Sequence, residues 1–485
     1  MLFNSFEFIF VFLPSVLLGC LLFSVFNSSA KIWIIFSSLF FYSWWNAFHI
    51  LIILSVMLFT FTVGQSMLRV SDFRLRKALL VLGLVVDLAV LGYFKYFIFF
   101  AESINSFVGT SFRLDPILLP LALSFFTFQK IAFLMDIYQG KVKKCLFVDY
   151  CLFVTFFPQL IAGPIVHYRE LAPQFMRDSA LRLRISNFSV GFSMFIMGLF
   201  KKVIIADSLA PLANMLFQQA VDGRVPSLAD SWVGVLAYSL QLYFDFSGYS
   251  DMAIGLSRIF GIQLPQNFNS PYKSTSIVEF WRRWHITLSN FLRDYVYIPL
   301  GGSRCGKIRV FVNLVLTMLI GGLWHGAGWT FVLWGLLHGV FLAVNHAWQK
   351  SPISNWGGRW SVFPAWALTF ICIAVAWVFF RASSIADAGR ILSGMFLTKK
   401  TALKLFEADD VVLVIGCLLA ALIFPNTQQI FGAFRPCLGW VRKKYPDKAA
   451  WMWKPKVGWA FLLAVMFAFC ICCMMRPSQF LYFQF

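Results

Sequence analysis

Residues 321–330 read GGLWHGAGWT and set one imidazole, His325, among four glycines and two tryptophans. A neutral imidazole accepts a proton close to neutral pH, because its ordinary pKa is about 6.5. Gly321, Gly322, Gly326 and Gly328 suit a place where the chain bends or where another group approaches closely. Trp324 and Trp329 are large enough to wall a pocket around the ring. The residues alone therefore support a general base, with an interhelical hydrogen bond as the other reading. His338, followed by Gly339, either reaches the same cavity or bonds a neighbouring helix. His49 and His346 stand near the ends of apolar runs and read as interfacial residues.

A second constellation lies upstream. Ser276-Ile-Val-Glu279 spells a capping box, in which two side chains satisfy free amides at a helix start. The helix it would open, EFWRRWHITLSNFLRDYVYIPLGG, carries Trp281, Trp284, Leu288, Phe291 and Tyr295 as one apolar stripe. Arg282, His285, Ser289 and Arg293 form a polar row beside that stripe. This density of tryptophan and arginine fits a helix lying at a membrane interface and ended by Pro299, Gly301 and Gly302. YSLQLYFDFSGYSDMAIGL (238–256) places Gln241, Asp245, Ser247 and Asp251 in a segment otherwise fit for the bilayer, and Asp245 and Asp251 are costly there unless they face an aqueous cavity or a partner. That segment is expected to line something. Lys130 is a functional candidate on the same ground, or else it snorkels to the interface. FFPQLIAGPIVHYRE (156–170) follows a short apolar run and holds Pro158, Gly163 and Pro164, so it reads as a re-entrant loop.

The elements that must position these groups follow from composition. The chain has 485 residues, 60% hydrophobic and only 13% charged, against about 45–50% and about 25% in soluble domains. Apolar runs recur at 8–26, 32–48, 50–68, 79–94, 117–133, 233–244, 310–323, 331–344, 365–380, 411–424 and 457–475. A bilayer core takes about 20 residues of helix, so about ten to twelve spans are expected. The class is an all-α polytopic integral membrane protein, without the alternation of a barrel. No Lys or Arg precedes the first run, so that helix is expected to be retained rather than cleaved. The net charge of +20 gathers in short loops at 69–77, 141–144, 169–184, 399–404 and 435–456, as loops held on the cytoplasmic side do. Membrane lipids, not nucleic acid, are the partners this pattern fits. Ten cysteines include one CICC (470–473) inside the last apolar run, with no second pair to complete a metal site. HExxH, GxSxG and GxxxxGK[ST] are missing, which removes the main support for zinc peptidase, serine hydrolase and P-loop chemistry.

The runs FFPQLIAGPIVHY, LQLYFDFSGYSDMAIGL, NFNSPYKSTSIVEFWRRWHITLSNFLRDYVYIPLGG and GGLWHGAGWTFVLWGLLHG resemble, over almost the whole chain, the membrane-bound O-acyltransferase (MBOAT) family. AWVFFRA (376–382) and the FQF ending are most similar to its alginate O-acetylation branch. The resemblance implies a helical core around a funnel and tunnel, with re-entrant and interfacial helices. N-terminal transmembrane helices would occupy 1–145, the catalytic core 146–350 and C-terminal transmembrane helices 351–485. The family's principal histidine maps onto His325 and its upstream histidine onto His285.

The implied activity carries an acetyl group from a cytoplasmic donor, acetyl-CoA or another acyl thioester, with no bound cofactor. Its end is O-acetylation of an exopolysaccharide, alginate first, across the bacterial inner membrane, with periplasmic polysaccharide acetyltransferase proteins as partners. His325 would be the base, while Trp324, Trp329 or a backbone amide of the glycine run would face the developing oxyanion. Arg282, His285, Ser289 and Arg293 would line the approach, the arginines being suited to phosphate or carboxylate. Asp245, Ser247 and Tyr249 would form a facing wall, and a His325–acetyl intermediate is a variant of the same chemistry. Two other readings stand beside this one. One transfers another acyl group, such as D-alanine, from a carrier protein to an envelope polymer; the other is a polysaccharide or lipid transporter with no chemistry.

Overall fold

Long apolar runs offer their peptide groups no water, so those groups must pair within the segment, as a helix allows. The computed structural model follows that constraint. It describes residues 1–23, 27–110, 114–177, 180–351, 358–397, 405–440, 451–475 and Leu481. Helices dominate, no strand occurs among the described residues, and one isolated bridge joins Pro265 and Leu438. Lys399, Lys400, Lys404, the stretch 441–450 and the FQF ending lie outside the described residues.

Among the described residues, six helices are long and apolar enough to cross a bilayer: His49–Arg69, Phe73–Val108, Ile185–Val221, Lys307–His325, Trp329–Gln349 and Val362–Arg381. This is fewer than the run count suggested. Glu7–Phe23 and Val457–Cys473 are apolar but shorter; Leu123–Tyr138 and Ala408–Ile423 have 16 residues each. Leu228–Ile259 is long at 32 residues but carries Asp230, Asp245, Asp251 and Arg258. The chain is a multi-pass membrane protein.

Two compact units emerge. The first combines Met1–Met197, Tyr249–Gln266 and Phe431–Met466; the second combines Gly198–Gly248, Asn267–Ile430 and Phe467–Phe485. In the first unit Lys130 does not snorkel. Its ammonium is buried against Asp87 at 3.4 Å, and Asp87 also accepts the Thr60 hydroxyl at 3.2 Å. Burying a lone charge is prohibitive, and an internal partner removes the need to reach water. The proline-rich stretch after Phe147–Thr155 forms only the short turn of helix Phe157–Leu160 and then irregular backbone, all of it buried up to Tyr168. Irregular backbone sheltered by protein is what a non-spanning segment of this kind requires.

The second unit is organised on the helices Lys307–His325 and Trp329–Gln349, joined by only Gly326, Ala327 and Gly328. Glycines let their backbones touch. A Cβ on Gly335 would lie 2.4 Å from the Met318 carbonyl oxygen, one on Gly322 2.3 Å from the Phe331 oxygen, and one on Gly339 2.7 Å from the Val315 Cα. Gly335 and Gly339 form a GxxxG pair, the spacing that brings membrane helices into close contact. Gly326 and Gly328 have φ of −156° and −168°, ordinary extended backbone. Of the two uses that the glycine run suggested, close approach is the one realised.

Gly335→Val should therefore force these helices apart, at a cost of about 1–3 kcal/mol or more from overpacking. Thermal unfolding of the detergent-purified chain checks this against Gly416→Val, where an added Cβ meets nothing within 4 Å. Equal midpoints for the two variants would contradict the packing account.

Candidate active site

The approach to His285 begins at the expected cap. Ser276 Oγ accepts the Glu279 N–H at 3.1 Å. Glu279 returns its carboxylate one residue further back than the box predicts, to the Thr275 N–H at 2.9 Å and hydroxyl at 3.1 Å, and pairs with Arg283 at 2.6 Å. The long amphipathic helix does not follow. Ile277–Trp281 ends after five residues, and His285 takes φ 40°, ψ 54°, the left-handed region, before Ile286–Leu292 and the wider turn Arg293–Tyr297. A non-glycine residue there needs its surroundings to hold it. Asn267 does so: its carbonyl accepts the Ile286 N–H at 2.9 Å. Its side-chain Oδ1 lies 3.1 Å from His285 Nδ1 and accepts the Thr287 hydroxyl at 2.9 Å.

The break splits the polar row. Arg282, Ser289 and Arg293 line one cavity of about 420 Å³, together with Asn290, Tyr297 and His346. A smaller apolar recess of about 210 Å³ shares Trp281, Ser289 and Arg293 with it and reaches Thr317 and Met318. His285 is not part of either lining and is fully buried. Burial pushes its imidazole down to about 3, so the ring is neutral across the physiological range.

His325 closes the Lys307–His325 helix and is 6% exposed. Its ring meets Trp324 at 4.9 Å, Trp334 at 5.1 Å and Phe380 at 5.2 Å, all edge to face. His285 stands 6.4 Å away between ring centroids, and Trp324 touches it as well, at 6.2 Å. The two histidines thus share one aromatic enclosure. His338 also packs on Trp334, at 4.8 Å, and its Nδ1 accepts the Trp281 indole N–H at 3.3 Å.

The remaining expected residues are placed as follows. Trp329 is 57% exposed, and Trp334, five residues on, takes the walling position beside His325. Asp245 is buried, with its carboxylate 2.7 Å from Lys202 Nζ and accepting the Leu481 N–H at 3.2 Å; Lys202 also pairs with Asp207 at 2.7 Å. Ser247 is buried nearby in sequence. Tyr249 belongs to the first unit, where its ring stacks on Phe3 at 4.7 Å. Asn267, Thr287, Trp334 and Phe380 are the residues that sequence reasoning passed over. Asn267 stood in a stretch read only as a loop, and nothing in its spacing linked it to His285.

The neutral state of His285 has a consequence for stability. The unfolded imidazole takes up a proton as pH falls through about 6.5, whereas the folded one resists until about 3. Its contribution is complete above the unfolded value and is lost as pH falls between these limits. His285→Gln should therefore show a shallower fall of the unfolding midpoint between pH 6.5 and 4, by about one proton. Equal slopes would contradict this.

Comparison with known proteins places the chain. Residues 37–384 match the model of the membrane-bound O-acyltransferase family, MBOAT. The chain is 43% identical to the peptidoglycan O-acetyltransferase of Helicobacter pylori, over 81% of this chain and 80% of that one. It is 42% identical to a probable alginate O-acetylase of Azotobacter vinelandii, over 82% and 78%. A teichoic acid D-alanyltransferase of Streptococcus thermophilus is 28% identical over 47% of this chain and 57% of its own. The transport-only reading falls with these matches. The chain belongs to the membrane-bound O-acyltransferase family and is an O-acyltransferase that draws on an acyl donor.

Proposed function

We propose that the chain takes an acetyl group from a cytoplasmic thioester, acetyl-CoA, and delivers it to a hydroxyl of an envelope polysaccharide from the bacterial inner membrane. The observation that carries this reading is the pair His285 and His325, 6.4 Å apart in an aromatic enclosure. His325 takes the proton of the attacking hydroxyl as its oxygen bonds to the thioester carbonyl carbon. The C–S bond then breaks, and the departing sulfur receives that proton. Among the donors the motif offers for the oxyanion, the Gly326 and Gly328 amides bond the Gly322 and Gly326 carbonyls, and Trp329 is exposed. Trp324, in ring contact with both imidazoles, is the donor this leaves in place.

The donor enters by the cavity of Arg282, Ser289 and Arg293. Guanidinium groups match phosphate oxygens, and the apolar recess behind them suits the thin arm that ends in the thioester. The relatives at 43% and 42% identity are named for different polymers, peptidoglycan and alginate. The acceptor class common to both is a carbohydrate hydroxyl; an alginate-type exopolysaccharide, finished by periplasmic acetyltransferase partners, is the member we assign. The D-alanyl relative supports a second reading, with a carrier protein as donor.

Labelled acetyl-CoA supplied to membranes, with and without a carrier protein, separates the two donors. In the first reading His325→Ala loses transfer by roughly a factor of 10² or more while the chain stays monodisperse in detergent. Full transfer by that variant would sink the assignment. Arg282→Ala and Arg293→Ala should each raise KM for acetyl-CoA by about tenfold, the worth of one charged hydrogen bond, with kcat little changed. An unchanged KM in both would remove the donor from this cavity.

A further inference from the structure

We propose that His338 and Trp334 are catalytic hydrogen-bond donors: His338 Nε2–H and the Trp334 indole N–H together hold the carbonyl oxygen of the acyl thioester and take up the charge that develops on it. This rests on the acyl-transfer reading above and adds to Trp324 two donors from outside the glycine motif. The state of His338 follows from its bond to Trp281. That indole can only donate, and it meets His338 Nδ1 at 3.3 Å. Nδ1 therefore carries the lone pair, and the proton of the neutral ring sits on Nε2.

Neither this N–H nor that of Trp334 meets an acceptor among the described residues, although the side chains are buried, at 0% and 1% exposure. A buried donor without a partner costs free energy, and native interiors leave few of them. Other indoles of the same unit are paired: Trp232 donates to the Met395 carbonyl at 3.1 Å and Trp366 to the Tyr272 carbonyl at 2.9 Å. Trp334 and His338 stand four residues apart on the helix Trp329–Gln349, so they share a face, and their rings lie 4.8 Å apart. Two unpaired donors thus stand side by side on a helix whose place is fixed by its glycine contacts.

The pair selects what it can hold. A carbonyl oxygen accepts two hydrogen bonds and donates none. A hydroxyl would bring a hydrogen of its own, and the side chains packed on His338 and Trp334 (Phe280, Phe341, Trp377 and Phe380) have no acceptor for it. The recess assigned to the thioester arm is lined by Trp281, which is bonded to His338, and by Leu342, one helical turn beyond it. Trp334 also meets the His325 ring at 5.1 Å, so the indole that holds the oxygen is packed on the base. As the attacking hydroxyl oxygen bonds to the carbonyl carbon, the π pair of the C=O moves onto the carbonyl oxygen, where both N–H groups stabilise it. The pair returns when the C–S bond breaks, and the sulfur takes the proton that His325 received.

Two replacements remove the donors while keeping an aromatic ring at each place. Trp334→Phe deletes the indole N–H. Exchanging His338 for 4-thiazolylalanine keeps the Nδ1 acceptor for Trp281 and sets a sulfur where Nε2–H was. In the full-length purified chain each should lower kcat for acetyl transfer from acetyl-CoA to a sugar acceptor by about tenfold or more, with KM for acetyl-CoA within about threefold. Infrared difference spectra of acetyl-CoA carrying ¹³C at the carbonyl give a reading independent of turnover. The bound carbonyl band should lie at lower wavenumber than in solution and move back toward the solution value in both variants. Full kcat in the thiazole variant, or a bound band that neither replacement moves, overturns the proposal. A packing role alone would lower the unfolding midpoint of Trp334→Phe and leave the band in place, which overturns it too. Acetyl-CoA bound with an unshifted carbonyl removes only this assignment, whereas no binding by the unaltered chain removes the donor reading and this assignment with it.

Discussion

Backbone touching backbone across Gly322, Gly335 and Gly339 is the constraint on which the site depends. Two helices held at that distance, with a three-residue link between them, leave His325 no latitude at the end of the first. Trp334 comes from the facing helix and meets the imidazole at 5.1 Å because the helices are this close. In lipid, association between helices relies on such packing, since tails are as apolar as the side chains they would replace.

Polarity is then admitted only with its partner supplied. Lys202 sits between Asp207 and Asp245, and His285 between Asn267 and the rings around it. Each pair is too buried to rely on water, and removing one member would strand the other at a cost of several kcal/mol. The histidines differ in this respect from the ion pairs. They are enclosed chiefly by aromatic rings, with no carboxylate among the partners named above.

Much of this was legible in the residues. Apolar runs gave away the helical membrane class, and the family resemblance named His285 and His325, which the fold brings to 6.4 Å. Arg282, Ser289 and Arg293 do share a surface. The break at His285 was not legible, because the stripe of Trp281, Trp284, Leu288 and Phe291 is buried equally well by two short helices as by one long one. Periodicity records which side chains go inside and is blind to a single left-handed residue between them. Asn267, distant in sequence, bonds both sides of the break, and no local pattern reports it. The placing of Trp334 where Trp329 was expected has a similar origin: both lie on the same helix, and only the partner surface decides which one faces inward. Lys130 read as a functional candidate or a snorkelling residue, and Asp245 as facing a cavity or a partner; the partners, Asp87 and Lys202, come from other helices.

The indole of Trp281 lines both recesses beside Arg293 and donates to His338, which packs on Trp334, which in turn packs on His325. Four rings therefore stand in successive contact from the cavity wall to the buried imidazole. In an interior packed this closely, a change of volume at any one of them is felt by its neighbours, so the wall of the cavity and the enclosure of His325 are parts of one packed body.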